Sequence, residues 1–153
     1  MMESKVVLFI CVENSCRSLM AEAMFNANPP EGWTAISAGT EPAATANPRT
    51  GPMLHELGLD LPPHPPRLLT PDMMDNARVR VTMGCLDDAS CPARLKTLEL
   101  RDWSLPDPAH LDDKDFRQVR DQLVAHVKGL RTELVLSDRR RKGVAEDISA
   151  RSA

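Results

Sequence analysis

The chain has 153 residues and a formal net charge of −3, and it contains no apolar run of membrane-spanning length. This charge balance gives no reason to expect nucleic-acid binding, and the short apolar run near the start is typical of a strand rather than a secretory signal. We therefore expect a cytoplasmic protein, in which four cysteines indicate redox or metal chemistry rather than structural disulfides. The length predicts one domain with its own core.

The first predicted element is a buried strand that leads into a helix. Residues 6–10 form an unbroken apolar run rich in β-branched side chains, and residues 19–25 are mostly strong helix formers. Between them lie Cys11 and, six positions later, Arg17 with Ser18. Unpaired N–H groups at a helix N-terminus and a guanidinium both bind oxyanions, and the same positive field stabilises a thiolate. The pattern predicts an oxyanion-binding loop around a cysteine nucleophile.

Strands and helices alternate along the rest of the chain. Further strands are predicted at residues 34–37, 79–83 and 98–100, and helices at residues 47–57, 71–76 and from 112 or 113 to about 134. The alternation predicts an α/β domain over residues 1–136, with a parallel sheet of about four strands and helices on both faces. The reactive loop then lies at the carboxyl end of the first strand. Residues 137–153 are polar and basic, which predicts a flexible tail.

The loop resembles the phosphate loop of the low-molecular-weight phosphatase family. The resemblance rests on Cys11, the five-residue gap, Arg17-Ser18 and the Met-Ala-Glu that follows in the helix. It implies a low-molecular-weight phosphatase-like fold and a Cys11 thiolate that attacks phosphate or arsenate, with Ser18 donating to the thiolate. The residues implied to hold the oxyanion are Cys11, Val12, Glu13, Asn14, Ser15, Cys16 and Arg17. The alternative is a buried cysteine in an ordinary strand–turn–helix.

Asp107-Pro108 is the second feature of this resemblance. In the family, an Asp-Pro pair reaches over the phosphate loop, and its aspartic acid protonates the leaving oxygen as a general acid. The tyrosine phosphatases of this fold then carry an aromatic residue, whereas Ala109 follows here and the chain has no tyrosine. Trp103 is the remaining candidate to line the site. Without Cys11 and Arg17, Asp107 would be interpreted as a turn residue before a proline.

Cys85 and Cys91 resemble the redox loop of the thioredoxin-coupled arsenate reductases, which share the phosphatase fold. The resemblance implies a relay in which Cys11 attacks arsenate and Cys85 attacks the resulting adduct, releasing arsenite. Cys91 then displaces Cys11, and the Cys85–Cys91 disulfide is reduced by thioredoxin through a transient mixed disulfide. No bound cofactor is implied, phosphate or sulfate would mimic arsenate, and we expect a monomer. Glutaredoxin and mycothiol systems are alternative electron donors.

Three other interpretations remain open from the residues. If Cys85 and Cys91 are inert, the chain is a low-molecular-weight protein tyrosine phosphatase or another phosphomonoesterase. A non-catalytic oxyanion sensor would need neither these thiols nor Asp107. A four-cysteine zinc site is the third, although the cysteine gaps are wider than zinc knuckles usually have, and we expect no metal. Cys16 is interpreted as a packing residue, with a disulfide to Cys11 as the alternative.

The sequence departs from the family at two points. Some relatives bind potassium beside the loop through an asparagine, a glutamate, a serine and an aspartate. Asn14, Glu22 and Ser37 match the first three, but Arg67 falls at the aspartate position. We therefore expect Arg67 to pair with Glu22 and predict no potassium dependence. Glu13 replaces a frequent glycine and is expected to point outward. The four histidines, at 55, 64, 110 and 126, are expected at the surface.

Overall fold

A computed structural model describes residues 4–84, 93 and 98–151, with side chains described as far as residue 143. Cys85 and Cys91, on which the predicted relay depends, lie outside these residues. Within the described ranges, no helix combines the length and the apolar character needed to cross a membrane.

The described strands form one parallel sheet with the order β2-β1-β3-β4. The four strands are β1 (Lys5–Cys11), β2 (Trp33–Gly39), β3 (Val79–Thr82) and β4 (Arg101–Asp102). Pairing between β1 and β2 runs from Lys5↔Trp33 to Cys11↔Gly39, while β1 meets β3 on its other edge. Because β1 is central, its side chains are covered on both faces, which explains its unbroken apolar run.

Helices cover both faces of this sheet, as predicted. They are α1 (Arg17–Ala27), α2 (Thr50–His55), α3 (Pro71–Asn76) and α4 (Asp113–Arg151), with a 3₁₀ turn at Pro108–His110. The α3 helix starts at the predicted cap, where the Thr70 hydroxyl accepts a hydrogen bond from the Met73 N–H at 3.2 Å. The predicted apolar face of α4 is buried throughout, at Phe116, Val119, Leu123, Val127, Leu130 and Leu134.

The side chains of β1 alternate between two hydrophobic clusters. Val7 and Phe9 belong to the larger cluster, which includes the buried faces of α1 and α4. Leu8 and Ile10 belong to the smaller cluster, together with Met74 of α3. This period of two is the geometry of a strand, and it places helices on opposite faces of the sheet. The predicted α/β fold class is confirmed.

The bounds of α2 and of the last strand differ from the sequence prediction. The α2 helix starts at Thr50 rather than near residue 47, because the Asn47 side chain accepts the Arg49 N–H at 3.0 Å in a turn ahead of the helix. It also ends at His55, two residues before the predicted end. The last strand pairs at Arg101–Asp102 rather than at residues 98–100. Leu98 and Leu100 pack against the smaller cluster instead. Their apolar side chains therefore indicate packing against the core rather than pairing in the sheet.

The α4 helix continues to Arg151, whereas the sequence predicts a polar tail from residue 137. Asp138 contacts the start of the sheet, accepting the Trp33 Nε1–H at 2.9 Å and pairing with Lys5 Nζ at 2.9 Å. These polar contacts extend the buried face of the helix by one turn beyond Leu134. Hydropathy does not reveal such an anchor, because both partners are distant in sequence.

Candidate active site

The loop between β1 and α1 is held from outside through its carbonyl groups. The carbonyls of Cys11, Val12, Glu13 and Ser15 accept backbone N–H groups of residues 40, 41, 43 and 47, at 2.8–3.2 Å. Because these carbonyls accept hydrogen bonds from residues outside the loop, the loop can direct its N–H groups toward its centre, as an anion site requires. Asn14 has a φ of +51°, a left-handed conformation that asparagine tolerates and that closes the loop.

Gly39 shows how closely this loop lies against the end of β2. A Cβ atom at this position would lie 2.4 Å from the carbonyl oxygen of Val12 and 3.0 Å from the N atom of Asn14. Both contacts are with backbone atoms, so no side-chain rotation could relieve them. The glycine is therefore required for the loop to keep its shape.

Cys11 is almost completely buried and has two hydrogen-bond partners. Its Sγ atom lies 2.8 Å from Ser18 Oγ and 3.2 Å from the N atom of Asn14. The Asn14 side-chain amide donates to Ser18 Oγ at 2.6 Å. Because that amide nitrogen can only donate, the serine hydroxyl is free to donate its own hydrogen to sulfur. Two donors directed at one sulfur stabilise a thiolate.

Arg17 lies at the start of α1, where its guanidinium is held by backbone carbonyls. Nη1 donates to the carbonyl oxygens of Met83 at 3.1 Å and Leu105 at 2.7 Å. Nη2 lies 3.9 Å from Oδ2 of Asp107. Asp107 caps the 3₁₀ turn, since its Oδ1 accepts the Ala109 N–H at 3.0 Å, and its side chain is half exposed. The predicted cation and the predicted acid therefore lie beside each other.

These residues surround one cavity of about 360 Å³. It is lined by Cys11, Val12, Glu13, Ser15, Cys16, Arg17, Gly84, Leu105, Pro106 and Asp107. The structure thus brings together the predicted nucleophile, cation and acid. Asn14 and Ser18 do not line the cavity and hydrogen-bond to Cys11 instead, while Glu13 is exposed and contributes to the cavity wall.

Cys16 is a packing residue. It is buried in the larger cluster, and it and Cys11 are both free thiols. Burial raises the pKa of the Cys16 thiol above its usual value, an effect that the neighbouring Thr50 and Ser15 hydroxyls oppose. Its sulfur therefore stays protonated when Cys11 reacts.

Glu22, buried in α1, has three donors around its carboxylate. Ser37 Oγ donates at 3.0 Å, both oxygens lie within 3.0 Å of His64 Nε2, and Arg67 Nη2 lies 3.5 Å away. The expected pairing of Arg67 with Glu22 is therefore present. The sequence predicts His64 at the surface, but the structure makes it a partly buried partner of Glu22.

A potassium ion does not fit among the residues that match the family's cation site. The Arg67 backbone N–H already occupies Asn14 Oδ1 at 3.1 Å, and its Nε donates to the Ser37 carbonyl at 2.9 Å. A guanidinium beside Glu22 supplies the positive charge that a cation would bring. Among the described residues, no cluster of three or more histidine, cysteine or acidic side chains could hold a metal ion.

Trp103 does not line the cavity. Its ring lies 5.6 Å from that of Phe9 and stacks on His126 at 4.9 Å, so it packs between the sheet and α4. Sequence reasoning also missed Thr50, which binds the Ser15 carbonyl of the loop, and Arg49, which binds the Leu111 carbonyl beyond Asp107. Such contacts leave no spacing pattern from which they could be found.

Comparisons with known proteins agree with this geometry. Residues 6–141 match the family model of the low molecular weight phosphotyrosine protein phosphatases, and the chain belongs to this family. Arsenate reductase 1 of Staphylococcus epidermidis is 34% identical over 127 residues, covering 83% of this chain and 96% of that protein.

Two solved structures are also similar. An arsenate reductase in a phosphate-binding state has a TM-score of 0.74 at 29% identity, covering 84% of this chain and 98% of its own. A thioredoxin-dependent arsenate reductase of Corynebacterium glutamicum has a TM-score of 0.73 at 29% identity, covering 88% of this chain and 64% of that longer one.

Proposed function

We propose that this protein is an arsenate reductase that converts arsenate to arsenite by thiol chemistry. The observation that carries the proposal is the single cavity in which Cys11, Arg17 and Asp107 meet. The arsenate reductase names of its relatives at about one-third identity support the choice of oxyanion. Cys85 and Cys91, which a simple phosphatase does not need, support it further.

The first step uses residues whose positions are described. The Cys11 thiolate attacks arsenic while Arg17 and the loop amides hold the equatorial oxygens. An arsenic–sulfur bond forms, and one oxygen leaves as water after it receives a proton from Asp107. The Ser18 hydroxyl, 2.8 Å from sulfur, keeps Cys11 ready for attack.

The later steps depend on thiols outside the described residues, and we infer them from the sequence. The Cys85 thiolate attacks the Cys11 sulfur, and the electron pair of the arsenic–sulfur bond passes to arsenic, which leaves as arsenite. Cys91 then attacks Cys85, which frees the Cys11 thiolate and leaves a Cys85–Cys91 disulfide. Thioredoxin supplies the two electrons that restore both thiols. This cycle requires a reducing compartment, so we place the protein in the cytoplasm. We also propose that it acts as a monomer.

A phosphomonoesterase is the second candidate, because the family match and the loop suit phosphate equally well. Two observations favour the reductase. Ala109 follows the Asp-Pro pair, and Trp103 packs against His126 rather than lining the cavity. An aromatic platform for a phosphotyrosine ring is therefore missing from the described wall of the site.

The test is NADPH oxidation in the presence of thioredoxin and thioredoxin reductase, with aryl phosphate hydrolysis measured in parallel. We expect arsenate-dependent oxidation that disappears in Cys85→Ser, with slow ester hydrolysis that Cys85→Ser leaves unchanged. Fast ester hydrolysis together with no response to arsenate would establish the phosphatase. Tight phosphate binding with turnover of neither substrate would indicate an oxyanion sensor.

A further inference from the structure

Arg49, immediately before α2, connects its guanidinium to the segment that carries Asp107. Nη1 donates to the Leu111 carbonyl at 2.6 Å and lies 3.3 Å from Asp113 Oδ1. Nη2 donates to the carbonyls of Pro108 at 3.1 Å and Ala109 at 3.0 Å. One side chain thus binds three backbone carbonyls of the 108–111 turn and one carboxylate.

The geometry suits arginine specifically. A carbonyl oxygen has two lone pairs, so the Pro108 carbonyl can accept Arg49 as well as the Leu111 N–H, and a planar fork of N–H donors can bind several carbonyls at once. The guanidinium carbon also lies 4.8 Å from the ring centroid of Phe116, a cation–π contact that fixes the plane of the fork. Lysine could supply the charge but not this set of directed donors.

Residues 47–50, the segment that contains Arg49, are also attached to the cysteine loop. Thr50, fully buried, donates its hydroxyl hydrogen to the Ser15 carbonyl at 2.7 Å, and the Asn47 N–H donates to the same carbonyl at 3.1 Å. The Asn47 side chain in turn accepts the Arg49 N–H. Residues 47–50 therefore bridge the loop that binds the oxyanion and the turn that carries the acid.

Asp107 has few direct restraints of its own. Its carboxylate caps Ala109 and lies 3.9 Å from Arg17, and half of its side chain is exposed. We propose that Arg49 is a positioning residue, which holds the 108–111 turn so that Asp107 faces the oxyanion above Cys11. Arg49 is not among the residues that line the cavity, so it acts through Asp107 rather than on the substrate. The proposal deepens the proposed function, because it rests on Asp107 as the general acid.

The test compares Arg49→Met with Asp107→Asn, the double variant and Arg117→Met. Arg117 is the control, since it is an exposed arginine on α4 that forms its salt bridge with Glu56. Turnover is measured on arsenate or aryl phosphate, whichever the wild-type protein converts, and phosphate affinity by calorimetry. A misplaced acid lowers kcat by about 10- to 100-fold in Arg49→Met, with phosphate affinity little changed. Arg49→Lys should fold normally, with a kcat between those of Arg49→Met and the wild type.

The double variant separates positioning from a general structural role. If Arg49 acts through Asp107, adding Arg49→Met to Asp107→Asn produces no further loss of kcat. Unchanged kcat in Arg49→Met, or an equal loss with and without Asp107, would overturn the proposal. If Asp107→Asn is itself fully active, the acid role in the proposed function has failed instead.

Hydrogen exchange gives a readout that does not depend on activity. Arg49→Met should speed exchange at the Ala109 and Leu111 amides, both of which donate within the turn, and leave the Asn14 amide unchanged. Arg117→Met should change none of them. Equal protection of the 108–111 turn in Arg49→Met and wild type would show that Arg49 does not hold it.

Discussion

Ser18 Oγ lies 2.8 Å from Cys11 Sγ and receives its own hydrogen bond from Asn14 Nδ2. The serine hydroxyl is thereby oriented toward the sulfur before any substrate arrives. Arg17, the residue before Ser18, is anchored by two backbone carbonyls, and its Nη2 also lies 3.9 Å from Asp107 Oδ2. The nucleophile is thus oriented by residues of its own loop and helix, whereas the cation is held by backbone groups that are distant in sequence.

Removal of the Ser18 hydroxyl should slow the reaction of Cys11. A hydrogen bond to a charged group is worth about 1.5–3 kcal/mol, so Ser18→Ala should reduce Cys11 alkylation by iodoacetamide at neutral pH about tenfold or more. The rate is measured by mass spectrometry of the peptide that contains Cys11. Ser137→Ala is the control, because Ser137 lies on α4 at the opposite end of the sheet. An unchanged rate in Ser18→Ala would show that the hydroxyl does not stabilise the thiolate.

Gly39→Ala should distort the oxyanion loop. The new Cβ would lie 2.4 Å from the Val12 carbonyl, so the loop must move and phosphate affinity should fall about tenfold or more. Gly129→Ala is a matched control in α4, where a Cβ meets nothing within 4 Å. That variant should bind phosphate normally and unfold at a higher temperature, because alanine favours a helix by about 1 kcal/mol. Normal phosphate binding by Gly39→Ala would contradict the tight packing described.

The protein should not depend on potassium. The Arg67 guanidinium pairs with Glu22 at 3.5 Å and donates to the Ser37 carbonyl at 2.9 Å, so potassium and sodium chloride should give equal melting temperatures. Arg67→Asp removes the guanidinium and adds a carboxylate beside the oxygens of Asn14, Glu22 and Ser37. This variant should melt at a higher temperature in potassium than in sodium, whereas Arg67→Ala should show a smaller difference. A potassium-specific rise in the wild-type protein would contradict the prediction.

The Cys16 thiol should make stability fall at alkaline pH. Burial raises its pKa in the folded protein above the ordinary value of 9.0. Above that pH the unfolded chain loses the proton while the folded protein retains it, so the free energy of unfolding decreases as pH rises. Denaturant titrations from pH 7 to 10 should show a steeper decline in the wild type than in Cys16→Ala. Identical declines would mean that Cys16 does not contribute to the alkaline loss of stability.

The parts of the molecule that the sequence predicts well are those with a local signal. The run of residues 6–10 predicts the central strand, and the spacing from Cys11 to Arg17 predicts the loop. What the sequence does not reveal depends on distant backbone groups. The fork of Arg49 binds carbonyls some 60 positions away, and His64 reaches Glu22 across 42 positions.

The C-terminal helix illustrates the same limit in another form. Composition predicts a polar tail after Leu136, yet Asp138 is held by Lys5 and Trp33 at the start of the sheet. A charged residue with two specific partners looks, in sequence, like any other surface residue. The position of Asp107 beside the cavity, in contrast, could be predicted, because the Asp-Pro pair is a short contiguous motif.

The most direct test of the central claim is a single turnover without thioredoxin. Fully reduced protein, mixed with excess arsenate, should release one arsenite per chain and lose two titratable thiols, with Cys85 and Cys91 joined in a disulfide by mass spectrometry. Cys91→Ser should still release arsenite but accumulate a Cys11–Cys85 disulfide. If no arsenite forms and all four thiols of the wild-type chain remain titratable, the protein is not an arsenate reductase.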